Sequence, residues 1–318
     1  MLIPNKTLAI IIFCFLTTAT IFSQNKYTIV IHGGAGTISK DMPDSVKEDY
    51  YSALKEALSI GKSILHLGGS SLDAVERVIN YFEDNPKFNA GRGAVYTAEG
   101  KHELDASIMF GKDLSCGAVA GVTGIKNPIS LARLVMEKSP HVFFFGEGAE
   151  QYGKKMGVTF VENSYFDTEK RFEQMKKSQE KIKGTVGCVA IDNEGNITAG
   201  TSTGGMTNKM HGRVGDSPII GAGNYANNKT CGVSATGTGE LFIRHNVAFN
   251  VSALMEYKGF TLQQAADEMI FNRLPEGAGG IIAVDKEGNY SMVFSSSGMF
   301  RGVADSEGVF EVKIWKEE

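Results

Sequence analysis

Three stretches of this 318-residue chain carry side chains at spacings suited to hydrolytic chemistry. The first is Lys183-Gly184-Thr185-Val186-Gly187-Cys188-Val189-Ala190-Ile191-Asp192, where a polar, charged run passes directly into an apolar, β-branched segment that reads as a buried strand. If the Gly184–Thr185 bond were cut, Thr185 would become a new N-terminus at a strand tip. It would then carry a hydroxyl nucleophile and a free α-amine to activate it. Such an amine titrates near about 7.7–8.0, so it is available as a base at neutral pH without help from histidine. Taken by itself, Thr185 is more simply an ordinary strand residue, because β-branched residues favour strands. The second stretch runs from Thr201-Ser202-Thr203-Gly204-Gly205 to Gly212-Arg213-Val214-Gly215-Asp216. An arginine and an aspartate three apart can hold the carboxylate and ammonium of an amino acid, although a surface ion pair is the commoner use of such a pair. The third is Ser234-Ala235-Thr236-Gly237-Thr238-Gly239-Glu240, whose glycines let backbone N–H groups point at a ligand.

The elements that must position these residues follow from periodicity. Lys26 to His32 is β-rich and runs into the turn Gly33-Gly34-Ala35-Gly36, which has neither the lysine-serine/threonine ending of a P-loop nor a full dinucleotide fingerprint. Helical spacing predicts helices over Ser45 to His66 and from a Ser71 cap through Phe82. Phe82 to Tyr96, with Pro86, Gly91 and Gly93, is a compact loop. Its carbonyls could hold a hard monovalent cation, and a plain connection is an equal reading. Leu104–Phe110 with Cys116–Val122, Val186–Ile191 with Ile197–Thr203, and Gly279–Asp285 with Tyr290–Phe294 read as strand pairs. Asn127-Pro128 opens a helix, Glu147 begins a short one, Leu241 to Tyr257 and Leu262 to Phe271 are helical, and two short strands close the chain. Residues 157–184 lose all periodicity and read as a mobile tether, a length of linker that asks for a functional explanation. Strands, helices and strands, then the same order again, predict an α+β fold of sheets sandwiched between helices.

Composition narrows the function. Lys6, the apolar run Leu8 to Leu16 and the small or polar residues to Ser23 have the layout of a secretory signal, residues 1–23. The apolar part is shorter than the roughly 20 residues of a spanning helix. Export to the periplasm or the medium is therefore expected, with no membrane association after removal. A net charge of −4 provides no basic patch for nucleic acid. Cys116, Cys188 and Cys231 are too few for a disulfide framework; buried thiols are the simpler reading, with a Cys188–Cys231 bridge the alternative. The six histidines are scattered and none makes a two-ligand helical spacing with another, which argues against zinc.

Taken together, His32-Gly33-Gly34-Ala35-Gly36, Asn89-Ala90-Gly91-x-Gly93, Leu104-Asp105-Ala106, Gly184-Thr185-Val186-Gly187, Thr201-Ser202-Thr203-Gly204-Gly205, Gly212-Arg213-Val214-Gly215-Asp216 and Thr236-Gly237-Thr238-Gly239-Glu240 resemble the isoaspartyl peptidase/plant-type L-asparaginase family of N-terminal-nucleophile hydrolases. The resemblance covers the chain after residue 23. It implies a four-layer αββα sandwich formed as a precursor that cleaves itself before Thr185. The products would be an α subunit, residues 24–184, and a β subunit, residues 185–318, which pair into a dimer of heterodimers. It further implies Thr185 as nucleophile, Thr203 as the partner of its hydroxyl, and Thr236 with the Gly237 N–H as oxyanion hole. Arg213 would bind the substrate α-carboxylate, and Asp216 with the Gly239 carbonyl the α-amine. Val214, Gly215 and Thr238 would complete the pocket. Asn89 would support the site from a sodium loop whose ligands are the carbonyls of Phe82, Glu83, Asn85, Phe88, Ala90 and Arg92; Arg92 stands where the family often has an apolar residue. No cofactor for catalysis is implied. A glycosylasparaginase shares the nucleophile and the clamp, but its oxyanion segment usually reads Thr-Gly-Asn-Gly. A non-catalytic protein that captures aspartyl ligands is the rival from another class.

Overall fold

The computed structural model describes residues 26–177 and 184–316. The expected signal, residues 1–23, lies outside the described residues. The chain begins with β1 (Thr28–Gly36), α1 (Asp44–His66) and α2 (Ser71–Asp84), followed by β2 (Leu104–Phe110), β3 (Cys116–Val122) and α3 (Pro128–Lys138). Then come β4 (Phe143–Phe145), α4 (Gly146–Met156) and α5 (Glu169–Lys176). After Thr185 come β5 (Val186–Ile191), β6 (Ile197–Thr203), β7 (Asn224–Ala226), β8 (Cys231–Gly237), α6 (Gly239–His245), α7 (Val247–Lys258) and α8 (Leu262–Asp267). Strands β9 (Gly279–Asp285), β10 (Tyr290–Phe294), β11 (Gly298–Asp305) and β12 (Phe310–Lys313) complete it.

The strands form two sheets, one of eight in the order β12-β11-β1-β5-β6-β2-β3-β4 and one of four in the order β10-β9-β8-β7. The inner faces of β1, β5 and β6 meet β8 and β9, while α1, α2 and α3 cover the outside of the large sheet and α7 and α8 cover the small one. This is the αββα sandwich. The reason is visible in the strands: β5, β6 and β9 are buried along their whole length, so each needs an apolar partner on both faces. Three apolar clusters fill the layers. One, around Leu54, Val78, Ile79 and Ile108, lies under the outer helices. Another, around Val30, Val189, Ile282 and Val303, lies between the sheets. The third, around Val233, Phe242, Val251 and Ile281, lies under α7 and α8.

The large sheet interleaves the two halves of the sequence. β5 pairs antiparallel with β1, Val30 opposite Val189, and with β6 on its other side, Val189 opposite Ala199. β6 in turn pairs with β2, Asp105 opposite Thr203. A cut at 184/185 would leave these ladders intact, since β5 pairs with β1 and β6 beyond that bond.

Several expectations are corrected. Residues 157–177 do not form a featureless tether. Asn163–Phe166 is a 3-10 turn with Phe166 fully buried, and Asn163 bonds the carbonyls of His102 and Thr123. Helix α5 is capped by Thr168, and its Arg171 is 4% exposed, with Nε donating to the Gly93 carbonyl at 2.7 Å. Charged residues here concealed a few anchors that the composition could not weigh. Residues 178–183, the remainder of the expected tether apart from Gly184, lie outside the described residues. Ser70, not Ser71, caps α2, because Ser70 is extended and its side chain accepts from the Asp73 N–H; the Ser71 hydroxyl pairs with Thr198 instead. The helix expected over Leu241 to Tyr257 is two, broken where Asn246 adopts a left-handed conformation (φ 45°). Cys116, Cys188 and Cys231 are free thiols, with no Cys188–Cys231 bridge.

The packing of the segment before the cut predicts a proteolytic outcome. Phe166→Ala should cost about 3–5 kcal/mol of stability and expose the Lys170-Arg171 site. Limited trypsin digestion should spare that site in the parent protein and cut it in the variant. Equal cutting in both would mean that the segment is not packed.

Candidate active site

The site assembles where β5 begins. Thr185 is 6% exposed and immediately precedes that strand, so the ladders to β1 and β6 hold its backbone. Its hydroxyl donates to Thr203 Oγ1 at 3.1 Å. Thr203 Oγ1 also accepts from the Gly205 N–H at 2.9 Å and donates to the Gly184 carbonyl at 3.1 Å. Asn89 Nδ2 donates to the same carbonyl at 2.6 Å and to the Gly205 carbonyl at 2.7 Å. Asn89 is itself fixed, since its Oδ1 accepts from the Val95 N–H at 2.9 Å and its carbonyl from the Gly204 N–H at 3.1 Å. The carbonyl preceding Thr185 thus already has two donors directed at it. From the opposite side, Gly34 takes a left-handed conformation (φ 113°) at the break in register between β1 and β11, and a β-carbon there would come within 3.1 Å of Gly184 Cα. A side chain at that position would press on the peptide bond.

His32 supplies a fixture that the residue patterns did not assign. Its Nδ1 donates to the Thr185 carbonyl at 2.8 Å, and Nε2 lies 2.9 Å from Ser234 Oγ, which lies 2.8 Å from Thr201 Oγ1. Burial drives the imidazole pKa down to about 3, so it is neutral and its single N–H is committed to Thr185. The signal was present in the His32-Gly33-Gly34 motif, but the partners lie 153 and 202 residues away.

One cleft gathers Thr185, Thr203, Arg213, Asp216, Gly237 and Gly239, with Gly184 and Gly215 in its wall. It has about 10 Å³ of free space, room for about one water. The carboxylate of Asp216 is buried, one oxygen lacks a protein partner, and desolvation pushes its pKa up to about 7 against the opposing pull of Arg213. A buried carboxylate with an unpartnered oxygen, on a residue of the cleft wall, suits a cation such as an ammonium. Arg213 does not pair with Asp216; its Nε and Nη2 reach Glu240 Oε1 at 3.0 and 2.9 Å. Gly239 separates the two charges, because a β-carbon there would lie 2.8 Å from Asp216 Oδ1 and 3.1 Å from Arg213 Nη2. Thr236 is fully buried, and its hydroxyl accepts from the Ala35 N–H at 3.1 Å, leaving its own proton to donate. Thr238 starts α6, and its N–H is held by the Ala278 carbonyl. Val214 is half-buried between Arg213 and Gly215 and is not part of the cleft wall. Behind the cleft, burial lowers the pKa of Lys209, whose Nζ donates to the Glu103 carbonyl at 2.9 Å.

The loop after α2 packs backbone carbonyls against two glycines. Gly91 and Gly93 occupy points where a β-carbon would strike the carbonyl oxygens of Glu83 and of Phe88 and Pro86 respectively. Backbone carbonyls thus occupy the space a side chain would need at both positions. Among the described residues no group of three or more His, Cys, Asp or Glu could hold a metal.

With the geometry in place, comparison with known proteins gives a consistent result. A family model described as asparaginase matches residues 25–314. An isoaspartyl peptidase of Salmonella typhimurium is 48% identical over 297 residues, covering 87% of this chain and 95% of that protein. The isoaspartyl peptidase of Escherichia coli is 45% identical over 314 residues, covering 91% and 98% respectively. An isoaspartyl peptidase/L-asparaginase of Homo sapiens is 44% identical over 288 residues, covering 87% and 92%. A match across nearly the whole chain, joined to a threonine at a strand tip facing an arginine and an aspartate, means that this chain belongs to the asparaginase family.

Proposed function

We propose that this protein is a self-processing hydrolase that cleaves β-aspartyl (isoaspartyl) dipeptides and the side-chain amide of L-asparagine, with Thr185 as nucleophile. The observation that carries the reading is the pair of donors, Asn89 Nδ2 and Thr203 Oγ1, already on the Gly184 carbonyl beside the Thr185 hydroxyl.

In the intact chain the Thr185 nitrogen is an amide and cannot act as a base. The Thr185 hydroxyl adds to the Gly184 carbonyl, and the charge growing on that oxygen is held by Asn89 and Thr203. Collapse breaks the Gly184–Thr185 C–N bond and forms an ester, while the hydroxyl proton passes to the departing amine. Water then hydrolyses the ester, leaving the Gly184 carboxylate and a free Thr185 amine. Gly184 lines the cleft beside Thr185, Arg213 and Asp216, so on this reading it withdraws before substrate enters.

In the mature site the aspartyl half is held by two charges. Arg213 takes its α-carboxylate, and Asp216 with the Gly239 carbonyl takes its α-ammonium. The Thr185 hydroxyl attacks the β-carbonyl, and its own amine takes the proton and passes it to the leaving amine or ammonia. The tetrahedral oxyanion is bound by the Thr236 hydroxyl and the Gly237 N–H. Water next attacks the acyl-enzyme, and the amine again serves as base as aspartate is released. His32 keeps the Thr185 carbonyl still throughout, so that the nucleophile does not swing away when the chain before it is released. The relatives' names, isoaspartyl peptidase and L-asparaginase, support this choice of substrate.

The interleaved ladders of the large sheet favour an αβ heterodimer that persists after cleavage, and we infer that two such heterodimers pair. The carbonyls of Glu83 and Phe88, with those of Phe82, Asn85, Ala90 and Arg92, fit a sodium ion that would stiffen the loop presenting Asn89. The chemistry itself uses only the chain's own residues. Residues 1–23 support export to the periplasm or the medium.

Thr185→Ala should remain a single full-length band and hydrolyse neither substrate, as read by denaturing gel, intact mass and aspartate release. Turnover by an uncut chain would overturn the mechanism. Asn89→Ala removes one of the two donors on the scissile carbonyl, so self-cleavage should slow by about 10²–10³, measured as the half-time of band conversion. Asp216 must be ionised to bind an ammonium. Its pKa, raised to about 7 by burial, therefore predicts that kcat/KM falls as pH drops below about 7, before the carboxylate's ordinary range is reached. The α-amine of Thr185, titrating near about 8, adds to the same limb. A profile flat from pH 7 to 5 would contradict both assignments.

A further inference from the structure

The last residue of the Thr236-Gly237-Thr238-Gly239-Glu240 motif has no part in the mechanism above, yet among the described residues its carboxylate accepts the side-chain hydrogen bonds of Arg213. A guanidinium presents two usable N–H edges, Nε/Nη2 and Nη1/Nη2. Glu240 takes the first through one oxygen, at 3.0 and 2.9 Å. The second edge lies against two glycines of the cleft wall. Nη1 is 2.9 Å from the point where a β-carbon of Gly215 would stand, and Nη2 is 3.1 Å from that of Gly239. The arginine side chain is 18% exposed and the glutamate 47%, so the pair spans the rim of the cleft with the charge to be used on the inner side. Glu240 follows Gly239 at the start of α6, where the Thr238 N–H is tied to the Ala278 carbonyl. The carboxylate is thereby set by the same backbone that forms the ammonium subsite.

We propose that Glu240 is a positioning residue for substrate binding: it grips the Nε/Nη2 edge of Arg213 and so presents the Nη1/Nη2 edge to the α-carboxylate of the aspartyl half. An arginine side chain has several rotatable bonds, and without a second anchor much of the binding free energy would go into ordering it. Glu240 does not touch the reacting atoms, so its loss weakens binding without slowing the acyl transfer. It also sets the charge felt by Asp216. The charged groups acting on Asp216 are Arg213, Glu240 and Asp105; Arg213 favours the carboxylate, and the two acids oppose it. Removing Glu240 makes Asp216 easier to ionise.

This inference rests on the reading of Arg213 as the carboxylate ligand, and the test separates the two. Glu240→Ala and Glu240→Gln are compared with the parent for KM and kcat on a β-aspartyl dipeptide and on L-asparagine, and for L-aspartate binding by calorimetry. Glu240→Ala should raise KM for both substrates about tenfold, weaken aspartate binding by a similar factor, and leave kcat within about threefold. It should also shift the acid limb of kcat/KM to lower pH. Glu240→Gln, which keeps shape and one hydrogen bond, should fall between. The chain's own Gly184–Thr185 bond offers Arg213 no α-carboxylate, so self-cleavage should run at the parent rate in both. Unchanged KM and aspartate affinity in both variants, or a loss confined to kcat, would overturn the role of Glu240. A parent protein that turns over neither substrate would instead overturn the proposed function, and the aspartate titration would still report on Glu240.

Discussion

The structure depends on where the backbone of Thr185 is held. β5 lies in the middle of an eight-stranded sheet, paired on one side with β1 and on the other with β6. Hydrogen bonds on both edges leave the strand no freedom to slide, and complete burial of its residues fixes its register. The hydroxyl at its tip therefore has a defined position, one that it would keep if the preceding bond were cut as proposed. A nucleophile carried on a loop would lose that position at the moment its chain was severed.

Around this point the protein arranges neutral hydrogen bonds near the nucleophile and paired charges farther out. Thr203, Asn89 and Thr236 are uncharged donors and acceptors whose partners orient them. His32 joins them because burial keeps it neutral. The charged groups, Arg213, Asp216 and Glu240, stand together at the other end of the cleft, separated by glycines. This division suits a reaction whose nucleophile supplies its own base. A second strong acid or base next to Thr185 would perturb the amine, whereas the aspartyl substrate needs both signs of charge to be recognised.

The segment before Gly184 belongs to the same design. Arg171 ties α5 to the Gly93 carbonyl, and the Asn208 side chain donates to the Met175 carbonyl at 3.4 Å. Helix α5 thus rests on the loop that presents Asn89 and on the loop that runs from Gly205 towards Arg213. His102 and Tyr96 both bond Asp167, adding a further tie to the first of these loops. On the proposed reading Gly184 would withdraw without unfolding the chain before it, because these anchors lie upstream of it.

The amino-acid sequence by itself determined the family and the sandwich, and it named the residues of the candidate site. These depend on local chemistry: a polar run ending at a threonine before a β-branched strand, glycine clusters where backbone must approach a ligand, and an arginine three residues from an aspartate. Only the tertiary structure decided which groups face one another. Arg213 and Asp216 read as an ion pair or a clamp, and it took the fold to bring Glu240, 27 residues on, to the arginine. His32 was visible in its motif, but its bonds span the molecule and no periodicity encodes them. The fold also decided that 157–177 is packed, since one buried phenylalanine and one buried arginine outweigh a run of solvated charges. Secondary-structure signals act over a turn or two of chain, whereas hydrogen-bond partners and charge neighbours are set by strand order. That order is a property of the whole sheet.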